Sequence, residues 1–373
     1  MLNEFNSWLL YLSVLSASAY LLGFISQTQK KKTFFYFLIT FIALALPILM
    51  AAYRSCGSDT LGYMRNYIYT RRTPIKEVFE NISGLSESGH TLLTKFLGYF
   101  KSVRIYFGVY AAITVCLFYF ASKEYKKESI ALSMLLFYFV TFTAAFNVMR
   151  QYIAVALVAF SLKYVFKRDF LRFMIFVLIA STFHTSALLV TFVYFLWSKN
   201  GKLIPWPLLA LVFVGVAAVS INLEGFLGAF ADMEFESEAL QRYVGYTVNE
   251  VDAKNRDFYL NLLITVILLI HYTRLVKVDK RNSFFIFLFL ISTALGLSGF
   301  VSPYAKRIAK FFSIASPWIL ADIPKCYKDH HSIWTARILV IFYALARFTL
   351  TAYILEQSNL IPYIWILPSW ARL

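Results

Sequence analysis

The sequence is poor in cysteine and has no pattern by which thiols could organise a fold or a metal site. Its 373 residues include three cysteines, Cys56, Cys116 and Cys326, which lie far apart. No pair has the spacing of a redox motif or of zinc ligands, so neither a disulfide framework nor a zinc site is indicated. The first apolar run lacks a preceding basic residue and a small-residue cleavage site, which predicts a permanent helix rather than a cleaved signal peptide.

Apolar residues, in contrast, are in large excess. They make up 60% of the chain, aromatic residues make up 19%, and the mean hydropathy is +0.64. Soluble domains rarely exceed about half apolar residues, and apolar runs of roughly 17–25 residues, long enough to span a bilayer, recur here. We therefore predict an all-α polytopic integral membrane protein, a single membrane domain over 1–373 with about 12 transmembrane helices (roughly 10–13). The predicted spans are 7–26, 33–52, 103–121, 129–146, 149–166, 170–183, 184–197, 203–221, 258–276, 283–300, 308–321 and 333–355.

The charged residues predict how these spans are oriented, because basic residues mark the cytoplasmic side of membrane helices. Placing the short basic connections in the cytoplasm puts most of the net charge of +16 there and both long loops, 53–102 and 222–257, outside. We expect an interfacial helix at the end of the first loop and an acidic, lid-like segment in the second. Residues 170–197 fit either two half-helices meeting near His184 or one long helix, which would invert the topology beyond it. The basic connections are 29–32, 123–127, 167–172, 198–202, 274–281 and 324–329.

Four polar clusters interrupt the apolar runs, and the predicted topology places all of them on the external face or just beneath it. An arginine within a membrane helix costs roughly 2.5–3.5 kcal/mol by insertion scales, so it generally faces a cavity and has a partner. Guanidinium groups bind phosphate well because their planar fork donates two parallel hydrogen bonds. The clusters are Arg54, Asp59 and Tyr63; Asn147, Arg150 and Gln151; His184 and Ser186; and Lys306, Arg307 and Lys310. A diphosphate site is predicted from four of these side chains, Arg54, Arg150, Arg307 and Lys310.

Each of these side chains also has an ordinary structural interpretation. Arg54 and Asp59 fit an ion pair at the neck of a loop, and Arg150 fits an anchor at the lipid head groups. Lys310 fits an interfacial lysine whose stem packs against apolar surface, and His184 fits a buried packing residue. A functional site is favoured because the four clusters share one face.

His184 is the histidine that the topology places nearest to this face. An ordinary histidine pKa of about 6.5 suits a general base that takes a proton from an attacking hydroxyl group. His90, in the first external loop, is a competing candidate. Residues 296–299, Gly-Leu-Ser-Gly, match the nucleophile motif of rhomboid proteases, but the later histidines, His330 and His331, fall on the cytoplasmic side. The tetrapeptide therefore fits helix packing better than catalysis.

The order and spacing of the clusters resemble those of the EpsG-like branch of the Wzy-type polysaccharide polymerases. Residues 88–90, Ser-Gly-His, depart from the pattern, in which a proline and a bulkier residue are expected after the glutamate. The matching positions are Arg54-x-x-Gly57-x-Asp59-Thr60-x-x-Tyr63, Glu87 before a helix, Asn147-x-x-Arg150-Gln151-x-x-Ala154, Phe183-His184-x-Ser186-Ala187, Arg307 before Phe311-Phe312, and Pro362-Tyr363.

This resemblance implies a membrane glycosyltransferase with the GT-C-like architecture of polymerases and ligases, in the bacterial cytoplasmic (inner) membrane. It implies transfer of a growing glycan from undecaprenyl diphosphate to a sugar hydroxyl group of an incoming lipid-linked repeat unit, on the outer face. The product would be O-antigen or exopolysaccharide. No nucleotide sugar, metal, other cofactor or nucleic acid is implied, and a chain-length regulator protein is a possible partner.

The resemblance and the residue chemistry together assign roles. Arg150 and Arg307, with Arg54, stabilise the leaving diphosphate, and His184 is the base, with Asp59 and Glu87 as alternatives. Acceptor or sugar binding is assigned to Asp59, Tyr63, Glu87, Asn147 and Gln151.

Two other functions stay open at this point. An O-antigen ligase would share the donor, the topology and the basic cluster, and the arginine-glycine-aspartate motif after the second span favours the polymerase. A flippase or other transporter should carry ionisable residues near the middle of the membrane, often in repeated, broken helices. Here the ionisable residues gather towards one face.

Overall fold

The structure is a computed structural model that describes residues 2–27, 33–80, 82, 87–198, 202–203, 205–222, 256–300 and 307–371. Within these residues the chain is helical, and extended pairing is limited to one isolated bridge between Trp197 and Leu203. The predicted all-α class is confirmed. The predicted acidic lid at 222–257 falls outside the described residues apart from its ends, and Lys306 also lies outside them.

The described residues contain sixteen α-helices. The first nine are α1 (Glu4–Gln27), α2 (Phe34–Tyr53), α3 (Thr60–Arg72), α4 (Ile75–Glu80), α5 (Ser88–Gly98), α6 (Val103–Tyr125), α7 (Ile130–Leu136), α8 (Met149–Phe166) and α9 (Phe170–Phe183). The others are α10 (Trp206–Ile221), α11 (Arg256–Ile270), α12 (Tyr272–Val278), α13 (Arg281–Gly296), α14 (Lys310–Ser313), α15 (Ser316–Leu320) and α16 (His330–Phe348). A π turn and a 3₁₀ turn extend α7 to Phe146, a π turn extends α16 to Ile354, and a 3₁₀ helix covers Thr185–Leu196.

The described helices fit a multi-pass membrane protein. Six helical segments are long and apolar enough to cross a bilayer, and α11 with α12, bent by 71°, makes up to seven. Four shorter apolar helices, Phe170–Phe183, Thr185–Leu196, Trp206–Ile221 and Arg281–Gly296, coincide with further predicted spans. The predicted span at 308–321 is divided into the short helices α14 and α15.

Residues 170–197 form a hairpin of two short helices. His184 is extended, with φ −158° and ψ 111°, and separates α9 from the 3₁₀ helix. The far ends of the two helices meet, because the rings of Phe170 and Tyr194 lie 5.0 Å apart and Arg168 donates a hydrogen bond of 2.9 Å to the Tyr194 carbonyl. Of the two alternatives for this segment, the paired half-helices are therefore correct. The chain leaves the hairpin on the side where it entered.

The core is built around α8, which packs against α6 and α9 and is buried along most of its length. Aromatic side chains fill the space between α6 and its neighbours, and the Phe118 ring stacks on those of Phe137 at 3.9 Å and Trp318 at 5.1 Å. Helices α2 and α16 instead expose large apolar side chains such as Phe41 and Phe342. In a bilayer these faces contact lipid.

A buried ion cluster lies at the end of α6 that is remote from α5. Lys126 Nζ lies 2.9 Å from an Asp279 carboxylate oxygen and 2.5 Å from one of Asp322. Asn282 Oδ1 accepts a further bond of 2.8 Å from the same ammonium group. Because α6 has 23 residues, this cluster lies about 34 Å along the helix from its first residue.

The first long loop, 53–102, is largely helical in its described residues. Helices α3 and α5 pack on each other, and the Tyr67 hydroxyl donates to the Leu97 carbonyl at 3.3 Å. The Tyr67 ring also stacks on Tyr106 of α6, with 4.9 Å between the centroids. The loop is thus fixed against the start of α6.

Candidate functional site

Arg54 lies immediately after α2 and is enclosed by the protein, with 1% of its surface exposed. One guanidinium nitrogen donates to Thr60 Oγ1 at 2.6 Å, and the other donates to the Phe146 carbonyl at 2.7 Å. The guanidinium carbon lies over the rings of Phe107 at 4.7 Å and Phe146 at 4.6 Å. The side chain therefore joins the start of α3 to the segment before α8. Its predicted contact with a diphosphate stays a prediction.

The C-terminal segment, residues 358–364, forms hydrogen bonds with the same loop. The amides of Ser55 and Gly57 donate to the carbonyls of Ile364 at 2.5 Å and Asn359 at 2.8 Å. Asn147 Nδ2 donates to the Ser358 carbonyl at 2.9 Å, so this segment also reaches the turn before α8. Gly57 has φ +115°, and a Cβ there would lie 2.7 Å from Asn147 Oδ1. The glycine of the motif is therefore required both by its backbone angle and by this close approach.

Arg150, in the first turn of α8, forms an ion pair with Glu87, which precedes α5 in the left-handed conformation. The two side chains are 32% and 38% exposed, so the pair is partly open to solvent. The Tyr63 hydroxyl lies within hydrogen-bonding range of the same guanidinium group. Asp59, the residue before α3, is exposed and close enough to act electrostatically on Tyr63. Tyr63 of α3 and Glu87, the residue before α5, thus meet at Arg150 of α8.

His184, at the tip of the α9 hairpin, also lies near Arg150. Arg150 and Arg307 are both within electrostatic range of its imidazole ring. The ring stacks on Phe311 with 6.1 Å between centroids and an angle of 13°. Its Nε2 atom is buried and has no hydrogen-bonding partner among the described residues. The site therefore contains a ring nitrogen, held in place by stacking, beside two guanidinium groups.

Arg307 is positioned through the backbone of its own turn. Gln151 is 3% exposed and donates to the Arg307 carbonyl at 2.7 Å, which ties the segment before α14 to α8. Arg307 also acts electrostatically on Tyr63. Lys310, three residues later, lines a small cavity that Tyr152 of α8 also lines. The structure thus brings Arg307 to the Arg150 cluster and places Lys310 beside it.

His90, the competing histidine, is 3% exposed and takes part in an internal network. Its Nδ1 lies 2.6 Å from the Tyr110 hydroxyl, and its Nε2 lies 3.1 Å from Asn66 Nδ2. Burial, with a smaller contribution from Arg150, lowers the pKa of His90 to about 3. A neutral ring with both nitrogens occupied fits the positioning of α5 better than proton transfer from a substrate.

Some of these partners were missed in the sequence. Asn66 follows Tyr63 by one helical turn, so the i, i+3 spacing was available as a signal. Ser358 and Asn359 contribute backbone carbonyls, for which the sequence carries no signal. Among the described residues, no three His, Cys, Asp or Glu side chains come close enough together to hold a metal ion.

The arrangement can bind an anion and accept a proton at one place. Arg150 and Arg307 offer planar donors to a phosphate or diphosphate group, and His184 Nε2 offers a base within their electrostatic range. Glu87 and Asp59 are exposed acceptors that suit sugar hydroxyl groups.

Comparison with known proteins identifies a family. The family model described as the EpsG family matches residues 34–365, a range that contains every residue of the candidate site. No curated protein and no solved structure is significantly similar to the chain. The match confirms the resemblance found in the polar clusters. Together with the multi-pass helical fold, it is consistent with a membrane polysaccharide polymerase. Because the matched range covers most of its length, the chain belongs to the EpsG family.

Proposed function

We propose that this protein polymerises lipid-linked glycan repeat units on the outer face of the bacterial cytoplasmic membrane. The observation that carries the proposal is the grouping of four predicted side chains around Arg150, namely Glu87, Tyr63, His184 and, through Tyr63 and His184, Arg307. The donor is a growing glycan on undecaprenyl diphosphate. The acceptor is a sugar hydroxyl group of an incoming lipid-linked repeat unit.

Stabilisation of the leaving group is assigned to Arg150 and Arg307. As the glycosidic bond breaks, negative charge grows on the diphosphate oxygen, and preorganised donors directed at that oxygen lower the barrier. Removing one such donor typically costs about 100–1,000-fold in rate. Arg54 contributes by fixing the start of α8 from within the protein, and Lys310 extends the positive region one turn along α14.

Activation of the acceptor is assigned to His184. Neutral imidazole accepts the hydroxyl proton at Nε2 as the new glycosidic bond forms, and the stack on Phe311 holds the ring in place. Glu87 and Asp59 are the alternative bases and otherwise bind the acceptor sugar. Tyr63, Asn147 and Gln151 complete the acceptor side, although Asn147 and Gln151 also have internal partners. A chain-length regulator protein is a further partner of the proposed reaction.

The test uses purified protein and the lipid-linked repeat unit of its host, without nucleotide sugar and with excess chelator. Products separated by size should form a ladder spaced by whole repeats. An unchanged single repeat from folded protein would refute polymerisation, and transfer to a lipid A core acceptor would then identify a ligase. Dependence on added divalent metal would refute the metal-independent mechanism.

Site variants test the assigned roles in the same assay. His184→Ala and Arg150→Ala should abolish the ladder while the protein still inserts and folds. His330→Ala is the matched control, because His330 is exposed at the start of α16 and bonds only its neighbour Trp334 among the described residues. Normal polymerisation by either site variant would disprove the role given to that residue.

A further inference from the structure

A long apolar groove lies between α11, α16 and the segment at 320–327 that joins α15 to α16. Its volume is about 480 Å³, and most of its lining is aliphatic, as with Ile264, Leu339 and Val340. The same helices expose Leu262 and Ile338 beside the groove at 42% and 60%. Side chains of this kind contact acyl chains in a bilayer, so the groove opens towards lipid.

The end of the groove near the start of α16 has polar side chains in its lining. His271 Nε2 lies 2.8 Å from the Tyr327 hydroxyl, and its Nδ1 lies 2.9 Å from the Ile267 carbonyl. His331 lines the same end. From His331 to Tyr343 the groove follows α16 for about 18 Å, at the 1.5 Å rise of each helical residue. A long flexible hydrocarbon chain fits this length.

At the other end, the groove meets a small polar cavity. Tyr343 lines both spaces, and the cavity, of about 40 Å³, is also lined by Lys310, Arg347 and Asn261. Arg347 donates to the Tyr343 hydroxyl at 3.2 Å and to Asn261 Oδ1 at 3.5 Å, which directs its guanidinium group into this region. An arginine inside a membrane helix is costly unless it faces a polar space or a partner, and Arg347 lines this polar cavity.

We infer that the groove and the cavity form one site for the lipid part of the substrate. The isoprenoid chain lies in the groove, and a phosphoryl group is held between Lys310 and Arg347. The identity of this lipid as a polyprenyl diphosphate rests on the proposed function. The anionic end of the lipid is then one helical turn from Arg307, since Lys310 follows Arg307 by three residues. The diphosphate would therefore reach the Arg150 cluster from the side of α14.

Charge complementarity selects this occupant over a bulk phospholipid. The cavity has two cationic side chains in its lining and, at about 40 Å³, suits a compact anion such as one phosphoryl group, whereas the groove beyond it, of about 480 Å³, is lined mostly by apolar side chains. A phospholipid would bring two acyl chains and a bulky head group to the same entrance. The site thus suits a lipid with one chain and an exposed diphosphate.

The test measures binding of undecaprenyl diphosphate without sugar, so that it does not depend on polymerase activity. Leu339→Trp should fill the groove and weaken binding about tenfold, through lost burial of a few methylene groups. Ile338→Trp is the matched control, because Ile338 is also 60% exposed on α16 but does not line the groove. Equal binding by the two variants would overturn the assignment of the groove.

A second pair of measurements separates the chain from the head group. Arg347→Gln should weaken the binding of undecaprenyl diphosphate about tenfold, because the diphosphate pairs with the guanidinium group. The binding of undecaprenol, the uncharged alcohol, should change less than about twofold, because it has no group that forms this pair. Arg347→Lys retains the charge and keeps the result interpretable if the glutamine variant folds poorly. An equal loss for both lipids, or equal competition by phosphatidylglycerol, would reduce the site to an ordinary lipid groove. If the binding pattern holds but no glycan ladder forms, the proposed polymerisation fails while the lipid site stands.

Discussion

Replacing Gly89 by alanine tests whether the contact between α5 and α9 sets the geometry of the site. Gly89 lies between Glu87 and His90, where α5 meets the end of α9 just before His184. A Cβ at this position would lie 2.2 Å from Thr182 Oγ1 and 3.0 Å from Thr182 Cβ. Thr182 Oγ1 donates to the Ile179 carbonyl at 2.7 Å, so rotating it away loses a hydrogen bond.

The expected magnitude follows from these distances. Ordinary contact between carbon atoms requires about 3.5–4.0 Å, so α5 and α9 must separate by about 1 Å. Overpacking of this kind costs about 1–3 kcal/mol, offset by up to about 1 kcal/mol from the better helix propensity of alanine. The effect on catalysis should be larger, because a displacement of 1 Å in a reacting group can cost about 100-fold in rate. The glutamate that pairs with Arg150 would move with α5.

The assay is the initial rate of ladder formation, with thermal unfolding in detergent measured in parallel. Gly62→Ala is the matched control, because a Cβ on Gly62 of α3 meets nothing within 4 Å and should leave the rate unchanged. Adding Thr182→Ala to Gly89→Ala removes the closest atom and should recover part of the lost rate. Equal rates for Gly89→Ala and Gly62→Ala would refute the reasoning, and so would a complete absence of rescue.

Three further predictions concern Arg54, His90 and Lys126. Arg54→Lys should lower both stability and polymerisation rate, since one ammonium group cannot replace a fork that bonds Thr60 and Phe146; wild-type thermal stability in this variant would contradict the enclosed role. His90 has a pKa of about 3 in the folded protein, below its unfolded value of about 6.5. Its contribution to stability is therefore present above pH 6.5 and is lost as the pH falls towards 3, by on the order of 1 kcal/mol per pH unit. His90→Gln should flatten the decline of the unfolding temperature between pH 7 and 5, and an unchanged decline would count against it. Lys126→Met removes the ammonium group that the Asp279 and Asp322 carboxylates share, although Arg281 and Lys325 still pair with them. It should destabilise the protein by about 3 kcal/mol, which thermal unfolding checks, while sugar-free lipid binding by the folded fraction stays unchanged.

The helical segments could be predicted from the sequence because membrane insertion imposes a strong local signal. Apolar runs of spanning length gave the predicted spans. The basic connections gave the orientation of the spans, which stays a prediction. The hairpin at 170–197 was one of two alternatives, since 28 mostly apolar residues fit both a long helix and two short ones. The polar break at His184 is visible in the sequence, but the contact of Phe170 with Tyr194 that closes the hairpin is tertiary.

The site was predicted in part for the same reason. A charged residue at the end of an apolar run indicates a cavity or a partner, which identified Arg150 and Arg307. The sequence could not indicate which arginines point inward and which are enclosed, because Arg54 is covered by rings from residues 107 and 146 that are far away in the chain. Lys126 was predicted only as part of a basic connection, and the structure buries it between two aspartates.

Arg54 explains how two separate motifs come to act at one place. Its fork bonds Thr60, at the start of the helix that carries Tyr63, and the Phe146 carbonyl, four residues before Arg150. The same two segments are held a second time from outside, through the bonds of Gly57 and Asn147 to the C-terminal segment. The approach of Tyr63 to Arg150 is therefore fixed by contacts that involve neither side chain. A partly exposed ion pair stabilises by only about 1 kcal/mol. The framework of Arg54 and the C-terminal segment, rather than the pairing with Glu87, must therefore keep Arg150 in position. Glu87 can then exchange the guanidinium group for a sugar hydroxyl group.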